Sequence, residues 1–208
     1  KCIIVLPENC EAFEGICHDF ETVVQKTPKG TGDAVKKASN LLKKFTGVIL
    51  VCFGDTPFLT SETFKRVINA FDNKTKLVIT GFKKFEKNNY GKIIFSNKNE
   101  PIEIIEQKDA EVRNIHSEYC NGGVMAIHSS VINQLNNIKE NLISKEFYLT
   151  DLVKILNKEN KKISFIEIKE EEIIGINNQV DLSVAEKISQ NLLRRNAMLK
   201  GVKLIDPE

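Results

Sequence analysis

No apolar run in these 208 residues approaches the ~20 needed to cross a bilayer, and the chain opens without the basic, apolar and small-residue succession of a secretory signal. A membrane partner is therefore not expected, and the expected location is cytoplasmic. Nor is there a block of like charge. The 30 Lys+Arg stand against 28 Asp+Glu for a formal net charge of +2, and basic residues gather only in pairs such as Lys36-Lys37, Lys43-Lys44 and Lys161-Lys162. Solvated helix faces account for such pairs, so a nucleic acid held mainly by electrostatics is excluded. The five cysteines, Cys2, Cys10, Cys17, Cys52 and Cys120, form no C-x-x-C pair and are odd in number. That argues against a disulfide framework or zinc site and for reduced, mostly buried thiols. The P-loop and G-x-G-x-x-G patterns are missing as well. His18, His116 and His128 are scattered through the chain, so no nucleophile-and-base arrangement can be assembled and nothing calls for a covalent intermediate.

What the sequence does contain is alternation. Short Ile- and Val-rich runs at Cys2-Ile3-Ile4-Val5-Leu6, Gly47 to Phe53, Leu77 to Phe82, Cys120 to His128 and Ile163 to Ile168 are separated by segments of helical period. This is the pattern of an α/β protein with a mostly parallel sheet, and Gly47 to Phe53, almost wholly apolar, reads as its centre. Helices are predicted over Thr31 to Phe45, after the Thr60-Ser61-Glu62-Thr63 cap, over Ser129 to Ile138 and Tyr148 to Asn160, and from Asp181 onward. Between Tyr90 and Gln107 the helical period stops. There Lys92-Ile93-Ile94-Phe95 and Ile102-Glu103-Ile104-Ile105 flank a polar turn and predict a hairpin insertion. Without repeats or flexible linkers, residues 1–208 read as one domain. The start at Lys1, directly into a strand, reads as a cut chain.

Chemistry concentrates at strand ends. Val48 to Phe53 runs into Gly54-Asp55-Thr56-Pro57, and in open α/β sheets ligands sit beyond the carboxyl ends of strands. Asp55 thus either holds a hard cation such as Mg²⁺, which prefers oxygen ligands, or caps the turn that follows it. Gly30-Thr31-Gly32-Asp33 opens a helix, where free N–H groups suit an anion or a base edge, although taken alone a plain helix-start turn is the better account of it. Glu106-Gln107-Lys108-Asp109 and Asn121-Gly122-Gly123 interrupt apolar segments with groups able to read hydroxyls and amides. In Gly175-Ile176-Asn177-Asn178, Asn178 reads as an N-cap.

Taken in order, Gln25 followed by Gly30-Thr31-Gly32, Phe53-Gly54-Asp55-Thr56-Pro57, Tyr90-Gly91-Lys92-Ile93, Ile105-Glu106-Gln107-Lys108-Asp109-Ala110, Asn121-Gly122-Gly123, Glu146-Phe147-Tyr148-Leu149-Thr150-Asp151, Gly175-Ile176-Asn177-Asn178 and the closing Gly201 to Pro207 resemble the pyrophosphorylase half of the bacterial bifunctional N-acetylglucosamine-1-phosphate uridyltransferase and glucosamine-1-phosphate acetyltransferase family. The resemblance implies a Rossmann-like nucleotidyltransferase, a three-layer α/β sandwich. In such an enzyme a sugar 1-phosphate attacks the α-phosphate of UTP with Mg²⁺ present, giving UDP-N-acetylglucosamine and pyrophosphate for peptidoglycan and lipopolysaccharide precursors. Position by position, it implies Asp55 and Asn177 as metal ligands. Gln25, Gly30 and Thr31 would hold uracil, and Gly91, Glu106 and Asn121 the amino sugar and ribose. Phe53, Gly54 and Thr150 fall within the same substrate-binding stretches.

The departures are specific. The family's first strand and glycine-rich triphosphate loop have no counterpart here, Phe53 stands where the family carries tyrosine, and the hexapeptide-repeat acetyltransferase half is absent. The resemblance suggests a homotrimer only through that absent half. Two other readings remain open on the residues: a related nucleotidyltransferase of the molybdenum-cofactor type, and a nucleotide-sugar-binding protein that does not transfer. Loss of a first strand would expose sheet edge and apolar surface. The isolated 208-residue chain is accordingly expected to associate or precipitate in light scattering, and a monodisperse, cooperatively melting monomer would contradict this.

Overall fold

The computed structural model describes residues 1–9, 11–86 and 88–205, so Cys10 and the closing Asp206 and Pro207 lie outside the described residues. The elements follow in chain order as β1 Ile3–Pro7, α1 Glu14–Cys17, β2 Glu21–Gln25, α2 Thr31–Ser39, β3 Val48–Val51, α3 Ser61–Asn69, β4 Thr75–Lys83, β5 Lys92–Phe95, β6 Pro101–Ile105, α4 Gln107–Arg113, β7 Tyr119–His128, α5 Asp151–Lys158, β8 Lys162–Glu167 and α6 Gln179–Leu199. Short 3-10 turns join several of them.

β1 and β2 pair in parallel as a two-stranded sheet. The other strands form a six-stranded sheet in the order β6-β5-β7-β4-β8, with β3 also paired to β7. β4 takes one edge of β7 along most of its length, while β3 at Met125 to His128 and β5 at Cys120 share the opposite edge. Strands β3, β4, β5 and β8 consequently point one way, and β6 and β7 the other. The sheet is therefore centred on β7 and β4. The apolar run at Val48–Val51, expected at the centre, is only half-buried, and among the described residues it pairs with β7 alone. An apolar run reports burial on two faces but not which edges are paired, and here β4 and β7 carry the deeper burial.

Helices cover both faces, as a three-layer sandwich requires. On one face Leu77, Ile79, Met125 and Ile127 pack with Leu152, Val153 and Leu156 of α5. On the other, Val78, Val124 and Ala126 pack with Val67 of α3. The start of α3 follows the predicted cap, with the Thr60 hydroxyl accepting from the Thr63 N–H at 3.1 Å. Glu172 reaches the same two threonine hydroxyls and ties the loop before α6 to this helix. The hairpin forms as expected, β5 antiparallel to β6, and β8 lies at the sheet edge beside β4.

Four local expectations are corrected. The helix predicted over Thr31 to Phe45 ends at Ser39 and tightens into a 3-10 turn at Asn40–Leu42, and the segment Ser129–Asn137 is 3-10 throughout. α4 arises where a polar loop was expected. Cys17 and Cys120 are buried, but Cys2 and Cys52 are exposed, so of the four described thiols, all free, only half are buried.

Ile127 is fully buried between the central strands and α5. Ile127→Ala should lower unfolding stability by about 2 to 5 kcal/mol, read as a drop in the urea midpoint at unchanged slope.

Candidate functional site

The site is built from three pairs of segments distant in sequence and tied together through their backbones. In the first, the chain leaves β2 at Gln25 and re-enters a helix at Gly30, whose φ of 94° is a conformation that glycine adopts without Cβ strain. Gly30 and Gly32 lie against the segment Glu146 to Leu149. The Gly32 N–H donates to the Phe147 carbonyl at 2.8 Å, the Phe147 N–H donates to the Lys29 carbonyl at 2.8 Å, and the Thr31 hydroxyl accepts from the Leu149 N–H at 3.0 Å. A Cβ on Gly30 would lie 2.6 Å from the Phe147 carbonyl oxygen. Gly30-Thr31-Gly32 is thus a docked helix start rather than a free turn.

The second pair joins the hairpin to the same segment. Thr150, one residue beyond the Tyr148-Leu149 stretch, donates its hydroxyl to Glu106 Oε1 at 2.7 Å, and Glu106 is the residue before α4. A Cβ on Gly91 would lie 3.3 Å from Glu106 Oε2, while the Gly91 carbonyl accepts the Asn121 N–H at 2.8 Å. Gly91, Glu106, Asn121 and Thr150 therefore converge. Burial raises the Glu106 carboxyl pKa above its ordinary value, with smaller upward contributions from Asp151, Asp109 and Glu146. The Thr150 hydroxyl opposes this by stabilising the ionised form. Burial likewise raises Asp151, against the pull of the Lys154 ammonium.

The third pair brings the end of β3 to the start of α6. The turn at Phe53-Gly54-Asp55-Thr56 is closed by the Thr56 hydroxyl donating to the Phe53 carbonyl at 3.0 Å, and the Asp55 carbonyl accepts the Ile176 N–H at 2.9 Å. A Cβ on Gly175, between them, would lie 3.8 Å from Asp55 Oδ2 and 3.7 Å from the Asn177 amide nitrogen. Asp55 and Asn177 thus face one point, both exposed, while Asn178 is the N-cap, accepting from the N–H groups of Val180 and Asp181. Thr56 closes the turn, which leaves the Asp55 carboxylate for a ligand. Among the described residues no group of three or more His, Cys, Asp or Glu side chains could hold a metal. A carboxylate and an amide oxygen suit Mg²⁺ nonetheless, since that ion commonly takes one or two protein oxygens and completes its shell with water and phosphate.

The third pair meets the second through a bulge. Opposite Thr80 alone, β7 places Gly122, Gly123 and Val124 between the paired positions Asn121 and Met125. Gly123 has a φ of 76°, and a Cβ there would lie 3.0 Å from the Phe53 ring. The ring, without the hydroxyl of a tyrosine, covers the bulge. Sequence reasoning missed one participant: Asp33 accepts a hydrogen bond from the Gln25 side-chain amide at 2.7 Å. An acid in the first turn of a helix ordinarily reads as a partner of the helix dipole, which hid it. His116 and His128 bond only to near neighbours outside these segments.

Residues 9–174 match the family described as nucleotidyl transferase. Similar curated proteins carry the name bifunctional protein GlmU. That of Rhodopseudomonas palustris (strain BisB5) is 37% identical over 194 residues, 91% of this chain and 42% of the relative. Those of Ruegeria sp. (strain TM1040) and Paramagnetospirillum magneticum are 36% and 33% identical, covering 93% and 100% of this chain but 43% and 46% of their own lengths. The chain spans less than half the length of these relatives.

An acid whose pKa is higher folded than unfolded contributes stability that is present below its unfolded value, about 4.3, and is lost as the pH rises through the folded value. Glu106→Gln removes this loss while keeping an oxygen for Thr150. Urea unfolding should find the variant more stable than the parent at pH 7, with a shallower decline in stability from pH 4.5 to 7.

Proposed function

The chain belongs to the nucleotidyl transferase family, and on that premise we propose that it is the uridyltransferase part of a GlmU-type protein, moving UMP from UTP to N-acetylglucosamine 1-phosphate with release of pyrophosphate. The observation that carries this reading is the convergence of Asp55 and Asn177 on Gly175, beside the Gly91, Glu106, Asn121 and Thr150 cluster. A carboxylate and a side-chain amide able to hold a phosphate-bound cation thereby approach one point, in segments that the β7 bulge joins to groups able to read sugar hydroxyls. No helix among the described residues is long and apolar enough to cross a membrane.

The chemistry is displacement at phosphorus. A phosphate oxygen of the sugar 1-phosphate attacks the α-phosphorus of UTP, the bond to the bridging oxygen of pyrophosphate breaks, and no protein group is covalently modified. Mg²⁺, held by Asp55 and Asn177, would supply charge neutralisation at the phosphates. The protein's own residues position the two substrates. The docked start of α2, with Gln25, Gly30 and Thr31, receives the uracil at N–H groups that have no intrahelical partner. Glu106, oriented by Thr150, would accept sugar hydroxyls, and Asn121, whose Oδ1 accepts from the Gly123 N–H at 3.1 Å, would offer its amide NH₂ to the ribose and sugar. Phe53 and Gly54 shape the turn that carries Asp55. Rate enhancement then rests on alignment of attacking and leaving oxygens, which pre-tied segments supply.

The test is a calorimetric titration of the chain with UDP-N-acetylglucosamine, with and without Mg²⁺, beside UDP-glucose and GDP-mannose. Binding selective for UDP-N-acetylglucosamine and strengthened by Mg²⁺ is expected. Asp55→Ala should weaken it at least about tenfold in Mg²⁺ and little in its absence, tenfold being about 1.4 kcal/mol. Equal affinity for all three sugar nucleotides, or none for any, would sink the proposal.

A further inference from the structure

Gln25 is the side chain whose amide faces the proposed uracil pocket, and an amide carries a donor end and an acceptor end of nearly the same shape. Left free, it could turn either end toward a base. In this protein the NH₂ end is committed twice: Gln25 Nε2 donates to Asp33 Oδ2 at 2.7 Å and lies 3.3 Å from the Gly30 carbonyl oxygen. Both partners, a carboxylate and a carbonyl, can only accept. A flipped amide would set its oxygen against two other oxygens, so the flip is closed, and Gln25 Oε1 is the end that remains for a ligand. Asp33 sits in the first turn of α2, half-buried, and the Gly30 carbonyl is itself held by the Ala34 N–H at 3.2 Å, so that acceptor is fixed by the helix start.

We infer that Asp33 is a positioning residue for base selection: by fixing the Gln25 amide it makes the pocket present an acceptor to the base, and so admits bases with an imide N–H, uracil and thymine, over cytosine. Uracil and thymine carry a hydrogen at ring position N3, where cytosine carries a lone pair, and a lone pair facing Gln25 Oε1 is repelled. The discrimination comes from a mismatched acceptor as much as from the matched donor. The inference rests on the uridyltransferase reading for the pocket's occupant, but Asp33 itself needs no contact with the nucleotide.

Asp33→Asn tests it, since the variant is close to isosteric and its own amide can either donate or accept, which reopens the flip of Gln25. Affinities for UDP, thymidine diphosphate and CDP are measured by calorimetry on the parent chain and on Asp33→Asn, Asp33→Ser and Asp33→Glu, with the melting midpoint of each recorded. The parent is expected to bind UDP and thymidine diphosphate well ahead of CDP. In Asp33→Asn and Asp33→Ser the UDP-to-CDP preference should fall at least about tenfold. Asp33→Glu, which keeps a carboxylate, should hold the preference within about threefold. Equal losses of UDP and CDP affinity in the neutral variants would mean a merely structural role and overturn the inference, as would an unchanged preference. A parent chain that binds UDP no better than CDP overturns it together with the uracil assignment. A parent that prefers UDP, with variants that keep the preference, overturns the inference alone.

Discussion

Two of the three segment pairs at the candidate site are joined by the two extra residues that β7 carries opposite Thr80. A regular ladder would continue from Ile79 paired with Met125 to Thr80 and then Gly81. Instead the register jumps, so that Gly81 faces Asn121 while Gly122, Gly123 and Val124 share the space opposite one residue. The buried Thr80 hydroxyl donates to the Val124 carbonyl at 2.9 Å, satisfying a polar group that the distortion would otherwise strand. The bend frees the Asn121 N–H for Gly91, seats Gly123 under the Phe53 ring, and thereby sets the hairpin and the end of β3 side by side. A Cβ on Gly122 would lie 2.7 Å from the Thr80 hydroxyl oxygen, so the bulge needs its glycines for space as well as for conformation.

Around that bulge the protein accepts a local electrostatic cost. Glu106 is half-buried with Asp109, Asp151 and Glu146 near it, and of the groups acting on it only the Thr150 hydroxyl favours its ionised form. A core optimised for stability alone would place an amide or an apolar group there, because a desolvated carboxylate among like charges is unfavourable. What such a carboxylate offers is strong acceptance of hydroxyl donors from a ligand that arrives with its own hydrogen bonds to give. The cost is borne in the free protein, and the central strands, packed on both faces by α3 and α5, are the part of the fold able to carry it.

Much of this was legible in the residues. The apolar runs that became β4 and β7 were unambiguous, because burial on both faces leaves no room for polar alternation. The hairpin was marked by loss of helical period around a polar turn, and α3 by its threonine cap. What could not be read was which strands are neighbours. Val48–Val51 is as apolar as a central strand, yet it is half-buried and pairs with β7, a strand whose bend rests on three residues far away in sequence, two of them glycines. α4 was hidden because Glu106-Gln107-Lys108-Asp109 is polar throughout, and only Ala110 turns inward. The candidate ligands were visible as polar interruptions at strand ends, whereas Asp33 was not. Its significance lies in the orientation it imposes on another side chain, and no spacing rule encodes that.

The way the ligand-bearing segments are held has a consequence for what they can do. Lys29 is bonded to Phe147, Gly91 to Asn121 and Asp55 to Ile176, in each case through backbone N–H and carbonyl groups. Main-chain ties fix where a side chain starts while leaving its polar end unspent, and so Asp55 and Asn177 remain exposed although their backbones are anchored. A reaction that asks the protein only to bring two phosphate-bearing molecules into line draws its rate from such pre-positioning, since the entropy of alignment is already lost when the chain folds. Side-chain ties would have spent the donors on the scaffold. Thr31, Thr150 and Gln25 are tied through side chains as well, and at Gln25, whose NH₂ end is committed, the scaffold gains direction: a group that can point two ways is useful for recognition only after one of them has been closed.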